Sequence, residues 1–152
     1  MKLRVSIDID APPDVVWETV ERVEDHVDWM ADAEAIRFTS DAHRGIGTAF
    51  DCETKVGPLH LTDEMRVTEW EPEFAIGIEH RGLVAGRGRF TLERIPPETT
   101  RFTWTETLTF PVKMGSAVGA LAAKPVLTQI WRRNLRRLKE IVESGSEVSG
   151  SE

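Results

Sequence analysis

One stretch near the C-terminus constrains most tightly what this chain can fold into. Between Met114 and Val142, Leu127, Ile130, Trp131, Asn134, Leu135, Leu138, Ile141 and Val142 recur at three- and four-residue spacing, the stripe of a helix with one buried face. Arg132, Arg133, Arg136, Arg137 and Lys139 fill the opposite face. Such a helix needs an apolar surface to lie on, and nearly everything from Glu34 to Phe110 reads as strand. The sequence therefore predicts one long helix gripped by one curved antiparallel sheet. Gly115, Gly119 and Pro125 weaken the start of that helix, since inside a helix glycine costs roughly 1 kcal/mol and proline about 3 kcal/mol. A kink or a separate first turn is expected near Pro125.

The sheet is written in period-two alternation. Leu3, Val5, Ile7 and Ile9 alternate with polar residues and form the first strand. Ala11-Pro12-Pro13-Asp14 breaks it, and Val15, Val16, Trp17, Thr19, Val20 and Val23 suit a short helix entered through proline. A second helical piece covers Asp25 to Met30, with Trp29-Met30 as a plug at one end of the sheet. Further strands are marked by Ile36 and Phe38, by Phe50, Cys52 and Thr54, and by Leu59, Leu61, Asp63, Met65 and Val67. Phe74, Ile76, Ile78 and His80 mark the fifth strand, and Val84 to Ile95 holds the sixth, where Gly86 and Gly88 imply a bend or a close backbone approach. In the last strand Thr103, Thr105, Thr107 and Thr109 alternate with Phe102, Trp104, Glu106, Leu108 and Phe110, so the threonine row should face water.

A chain of 152 residues is one domain by size and buries enough surface for a sizeable core. The domain is expected over residues 1–143, with the apolar period lost in the tail from Ser144, which is read as disordered. A formal charge of −7 argues against a nucleic-acid partner, whose binding rests on neutralising phosphates. The single cysteine, Cys52, excludes an intramolecular disulfide, and MKLRVSIDID is too polar for a signal peptide or a membrane span. These features lead us to expect a cytoplasmic protein without stable membrane insertion, a monomer or weak homodimer. His26, His43, His60 and His80 are scattered without metal-ligand spacing, so neither a metal nor a cofactor is expected.

Taken in order, the chain resembles the START-like (SRPBCC) helix-grip superfamily, which includes polyketide cyclase/dehydrase-like proteins, lipid-transfer domains, plant pollen-allergen proteins and hormone receptors. The resemblance is carried by Ile9-Asp10-Ala11-Pro12-Pro13-Asp14-Val15-Val16-Trp17 with Trp29, by Gly45-Ile46-Gly47-Thr48, by Val67-Thr68-Glu69-Trp70-Glu71-Pro72 and by Thr103-Trp104-Thr105-Glu106. It implies an α+β helix-grip fold: a curved antiparallel sheet of about seven strands around the long C-terminal helix, with two short helices after the first strand. It also implies a pocket between helix and sheet for a small hydrophobic or amphipathic molecule, lipid or polyketide-like. Glu79-His80-Arg81-Gly82-Leu83 resembles the latch of the plant hormone receptors, with Val56-Gly57-Pro58-Leu59 at the position of their gate loop. Aromatic polyketide cyclases commonly line their pockets with tyrosine and arginine, and this sequence has no tyrosine.

Three ionisable residues fall on otherwise apolar strand faces: Asp63, His80 and Glu106. An unpaired charge in a core is costly, so each must be paired, shifted in pKa or open to a wet cavity. Glu106 either lines the pocket or pairs with an arginine of a neighbouring strand such as Arg66 or Arg89. If His80 and Glu106 meet, they form an acid/base pair suited to enolisation, dehydration or cyclisation. The expected ligand contacts are Asp63, Met65, Ile78, His80, Phe90, Phe102, Trp104, Glu106, Met114 and Leu121. Three functions fit: a carrier of a hydrophobic molecule, a cyclase or dehydratase using Glu106 and His80, and a chaperone-like protein with a filled cavity. Cys52 shares an apolar face with Phe50 and reads as an inert buried thiol.

Overall fold

The computed structural model describes the backbone of residues 1–110 and 116–150, and the side chains of 1–110 and 123–145. Strand β1 (Lys2–Ile9) leads into helix α1 (Pro13–Val20), whose first turn tolerates proline because an N–H there would have no helical partner. Val16, Trp17 and Val20 are buried on its inner face. The helix ends at Glu21, earlier than the valine pattern implied, and Val23 belongs instead to a separate 3-10 turn at Val23–Asp28. There follow β2 (Ala33–Phe38), β3 (Ala49–Val56), β4 (Leu59–Glu71), β5 (Ala75–Arg81), β6 (Ala85–Ile95), β7 (Thr99–Thr109) and helix α2 (Ser116–Gly150). The helical run of α2 is unbroken across Pro125 and takes in most of the tail that the sequence left without structure.

The strands form one curved antiparallel sheet in the order β1-β7-β6-β5-β4-β3-β2, the helix-grip arrangement the sequence predicts. Each strand from β2 to β7 pairs with its sequence neighbour, and β1 closes onto β7 with Val5 opposite Trp104 and Ile7 opposite Phe102. In β4 a register shift between Val67 and Glu69 restores the inward direction for Trp70, opposite Ile76. Without that extra residue, Val67 and Trp70 could not both face the core.

Apolar side chains collect in two blocks. The larger joins β1, β6 and β7 to α1 and to the buried stripe of α2, where Leu135, Leu138 and Val142 are covered and Trp131 stacks on Trp104 with ring centroids 4.5 Å apart. The smaller joins Val23, Ala33, Phe50, Cys52 and Val67 on the β2–β4 side. Trp29, 2% exposed, is the expected plug; its ring lies 5.8 Å from Phe90 and 6.3 Å from both Phe102 and Trp104. Arg132, Arg133, Arg136 and Arg137 face outward.

Two details depart from the alternation pattern. Phe74 lies in the turn before β5 and is 56% exposed, because the Phe74 N–H closes the turn onto the Glu71 carbonyl at 2.9 Å instead of joining the strand. Thr103 is buried although it sits in the outward threonine row, since its hydroxyl pairs with Ser6 Oγ at 3.0 Å across the β1–β7 edge. Thr107 and Thr109 are exposed as expected.

Candidate functional site

The sheet's concave face and the described part of α2 leave a cavity of about 460 Å³ between them. Its walls are mostly apolar: Ile36, Phe50, Leu61, Met65, Ile78, Phe90 and Leu108 from the sheet, and Ala123, Val126, Leu127 and Trp131 from α2. This volume falls within the range of small-molecule sites, and the mixture of apolar walls with a few convergent polar groups is what such sites require.

Glu106 points inward from the middle of β7 and His80 inward from the end of β5, two strands separated by β6 and so about 10 Å apart. Their side chains meet because β6 is bare between them. Gly88 stands opposite both Ile78 and Glu106, and Gly86 opposite His80 and Leu108. A Cβ on Gly88 would collide with Glu106 Oε1, and one on Gly86 would collide with the Thr107 carbonyl oxygen of β7, with His80 Cε1 3.3 Å away. The close approach expected at these glycines is thus the Glu106 carboxylate over main chain at Gly88, and the β7 main chain with the His80 ring beside it at Gly86.

Across that gap His80 Nε2–H donates to Glu106 Oε2 at 3.0 Å, and Trp104 Nε1–H donates to Glu106 Oε1 at 3.2 Å. Glu106 therefore pairs with His80, and Arg89 is occupied elsewhere, by Glu69 at 2.7 and 3.0 Å. Burial works against the charged His80 ring, but the hydrogen bond and charge of Glu106, together with Asp63, more than offset it and raise its pKa. His80 Nδ1 is buried and makes no close hydrogen bond among the described residues, and the Val84 backbone beside the ring adds to the upward shift.

Asp63, opposite Cys52 on β4, is 8% exposed and borders the same cavity. Its Oδ1 is buried without a hydrogen-bond partner among the described residues, and a Cβ on Gly82 would collide with it. Burial raises its pKa; His80 pulls it back down and Glu106 pushes it further up. Cys52 has its thiol pushed up to about 11, by burial first and by nearby carboxylates besides, which suits the inert role read from the sequence.

Of the other expected contacts, Met65, Ile78, Phe90 and Trp104 border the cavity. Phe102 does not: it has no exposure, because Phe90 and Trp29 cover its ring at 5.2 and 6.3 Å. Met114 lies outside the described residues, as does the side chain of Leu121. Val56 and Leu59, flanking the turn in the gate-loop position, border the cavity, and Leu59 is 46% exposed.

The sequence reading missed two groups. Asp32, just before β2, borders the cavity and accepts a hydrogen bond from Asn134 Nδ2 at 2.8 Å, while Asn134 Oδ1 accepts from the Ala31 N–H at 3.0 Å. Burial raises the Asp32 pKa; the Asn134 bond opposes the shift and the charge of Glu106 adds to it. The available signal was an asparagine in an apolar helix stripe, a polar group that had to find a partner. His26 also borders the cavity; its Nε2–H donates to the Val20 carbonyl at 2.7 Å, and burial holds its pKa down to about 4. No group of three or more potential metal ligands occurs among the described residues. Nor is any helix there long and apolar enough to cross a membrane.

A family described as polyketide cyclase / dehydrase and lipid transport matches residues 1–143. Among solved structures, a Thermus thermophilus protein shares 19% identity at a TM-score of 0.76, covering 96% of this chain and 99% of that one. A conserved Geobacillus kaustophilus protein shares 14% at 0.79, covering 95% and 96%. An aromatase/cyclase from Streptomyces sp. R1128 shares 18% at 0.73, covering 94% and 93%. At these identities the likeness is one of fold. No curated protein matches the chain at a significant level.

Proposed function

Because the chain belongs to the polyketide cyclase / dehydrase and lipid transport family, we propose that it binds a small hydrophobic or amphipathic molecule, lipid or polyketide-like, in the cavity between sheet and α2. The observation that carries this reading is the cavity itself, about 460 Å³ with apolar walls and the polar group Asp63, His80 and Glu106 along one side. Apolar area removed from water supplies the affinity, at roughly 25 cal/mol per Å², and the polar side fixes orientation. Met65, Ile78, Phe90 and Trp104 contact the apolar body of the ligand.

The neutral probe N-phenyl-1-naphthylamine tests this reading. It is expected to bind the wild-type protein with a rise in fluorescence, and Ile78→Trp, which places an indole in the cavity, should weaken binding by about tenfold or more. A wild-type protein that leaves the probe in water contradicts the reading.

The His80–Glu106 hydrogen bond favours a second reading, a cyclase or dehydratase in which Glu106 takes a proton from a carbon beside a carbonyl and His80 protonates the departing oxygen. A carboxylate beside an imidazole holds the ring in one tautomer and supports such transfer. In that case Glu106→Gln lowers the dehydration of a β-hydroxy ketone by about 10²–10⁴ while the probe still binds. A carrier shows changed ligand preference and no rate to lose.

A further inference from the structure

The polar side of the cavity is unbalanced in charge. Asp32, Asp63 and Glu106 border it against His80, already bonded to Glu106, and His26, whose ring burial keeps neutral. Arg89 is the one Lys or Arg among the described lining residues, and its guanidinium is held by Glu69. The described α2 residues on this cavity are uncharged. Asn134 satisfies one oxygen of Asp32, whereas Asp63 borders the cavity with its Oδ1 buried beside Gly82 and without a hydrogen-bond partner among the described residues. A buried acceptor without a donor costs about as much as a lost hydrogen bond, and a ligand that supplies the donor recovers that cost on binding.

Resting on the binding reading above, we propose that Asp63 anchors the head of the ligand, and that the cavity takes amphiphiles whose head donates hydrogen bonds and carries positive charge, in preference to those ending in a carboxylate. An ammonium donates to Asp63 and offsets the excess of carboxylates. A hydroxyl donates without adding charge. A carboxylate brings a fourth acid into an apolar-walled space and offers Asp63 no donor, the arrangement by which a site rejects a competitor.

The test uses three ligands of equal chain length at neutral pH, decylamine, decanol and decanoate, each displacing N-phenyl-1-naphthylamine from the full-length protein. Decylamine is expected to bind at least about tenfold more tightly than decanoate, with decanol between them. The isosteric Asp63→Asn should erase most of the amine preference and leave decanol nearly unchanged. Because that variant keeps almost all of the net negative charge, an amine preference that survives it comes from general surface attraction and overturns the role of Asp63. The wild-type comparison needs no variant: decanoate binding as well as decylamine overturns the proposal while the cavity reading stands. Failure of all three ligands and the probe to bind overturns both.

Discussion

His26 and His80 both border the cavity and both are buried, yet the fold drives them in opposite directions. His26 sits at the aromatic end, its ring 5.0 Å from Trp29 and 5.9 Å from Phe90, with a backbone carbonyl as its hydrogen-bond partner. A carbonyl carries no charge to offset burial, so the ring stays neutral down to about pH 4. His80 sits at the polar end with a carboxylate at 3.0 Å, and there the charged ring is favoured. Burial alone therefore does not set a histidine's charge; what its nitrogen touches decides. The contrast also divides the cavity into an aromatic, closely packed end and a polar end.

The largest test of that division is truncation. Phe102→Ala at the packed end should cost about 3–5 kcal/mol in denaturant unfolding, because a sealed ring leaves a void that neighbours only partly fill. Leu61→Ala at the cavity should cost about 1 kcal/mol or less, since one side of Leu61 already faces open space. Equal losses would erase the distinction between the two ends.

Acid provides a smaller effect with a definite sign. The folded His26 pKa is depressed, so the unfolded chain takes up a proton first as pH falls. Stability is then lost from about pH 6.5 down to about pH 4, by roughly 3 kcal/mol in all. Asp32 and Asp63, raised in the fold, act the other way and are relieved as acid neutralises them. His80, also raised, contributes stability that is full below its unfolded pKa and is lost as pH rises through its folded one. Comparing wild type with His26→Gln between about pH 7 and pH 4 isolates the first contribution: the wild type should lose more, and parallel curves would remove the neutral-ring account.

The fold was legible because each element announces its own period. Alternation of two marked the strands and spacing of three and four marked α2, and both are local properties of sequence. Asp63, His80 and Glu106 stood out for the same reason, as charges in rows of apolar residues. Their meeting was not legible, because it spans β5 to β7 over an intervening strand whose register is fixed only in the assembled sheet. Asp32 was hidden in a short polar loop, where an aspartate is ordinary. Phe74 and Thr103 misled for complementary reasons: a turn took one out of its strand, and an edge hydroxyl covered the other.

Gly86 and Gly88 leave β6 bare beside His80 and Glu106, and Gly88 forms part of the cavity wall. At this wall the depth of the cavity is set by main chain, which changes little from one sequence to the next, while the groups around it are ordinary side chains on other strands. Drift at those positions can alter what the chamber prefers to hold, whereas a single added methyl at Gly88 would fill its floor and push the acid aside.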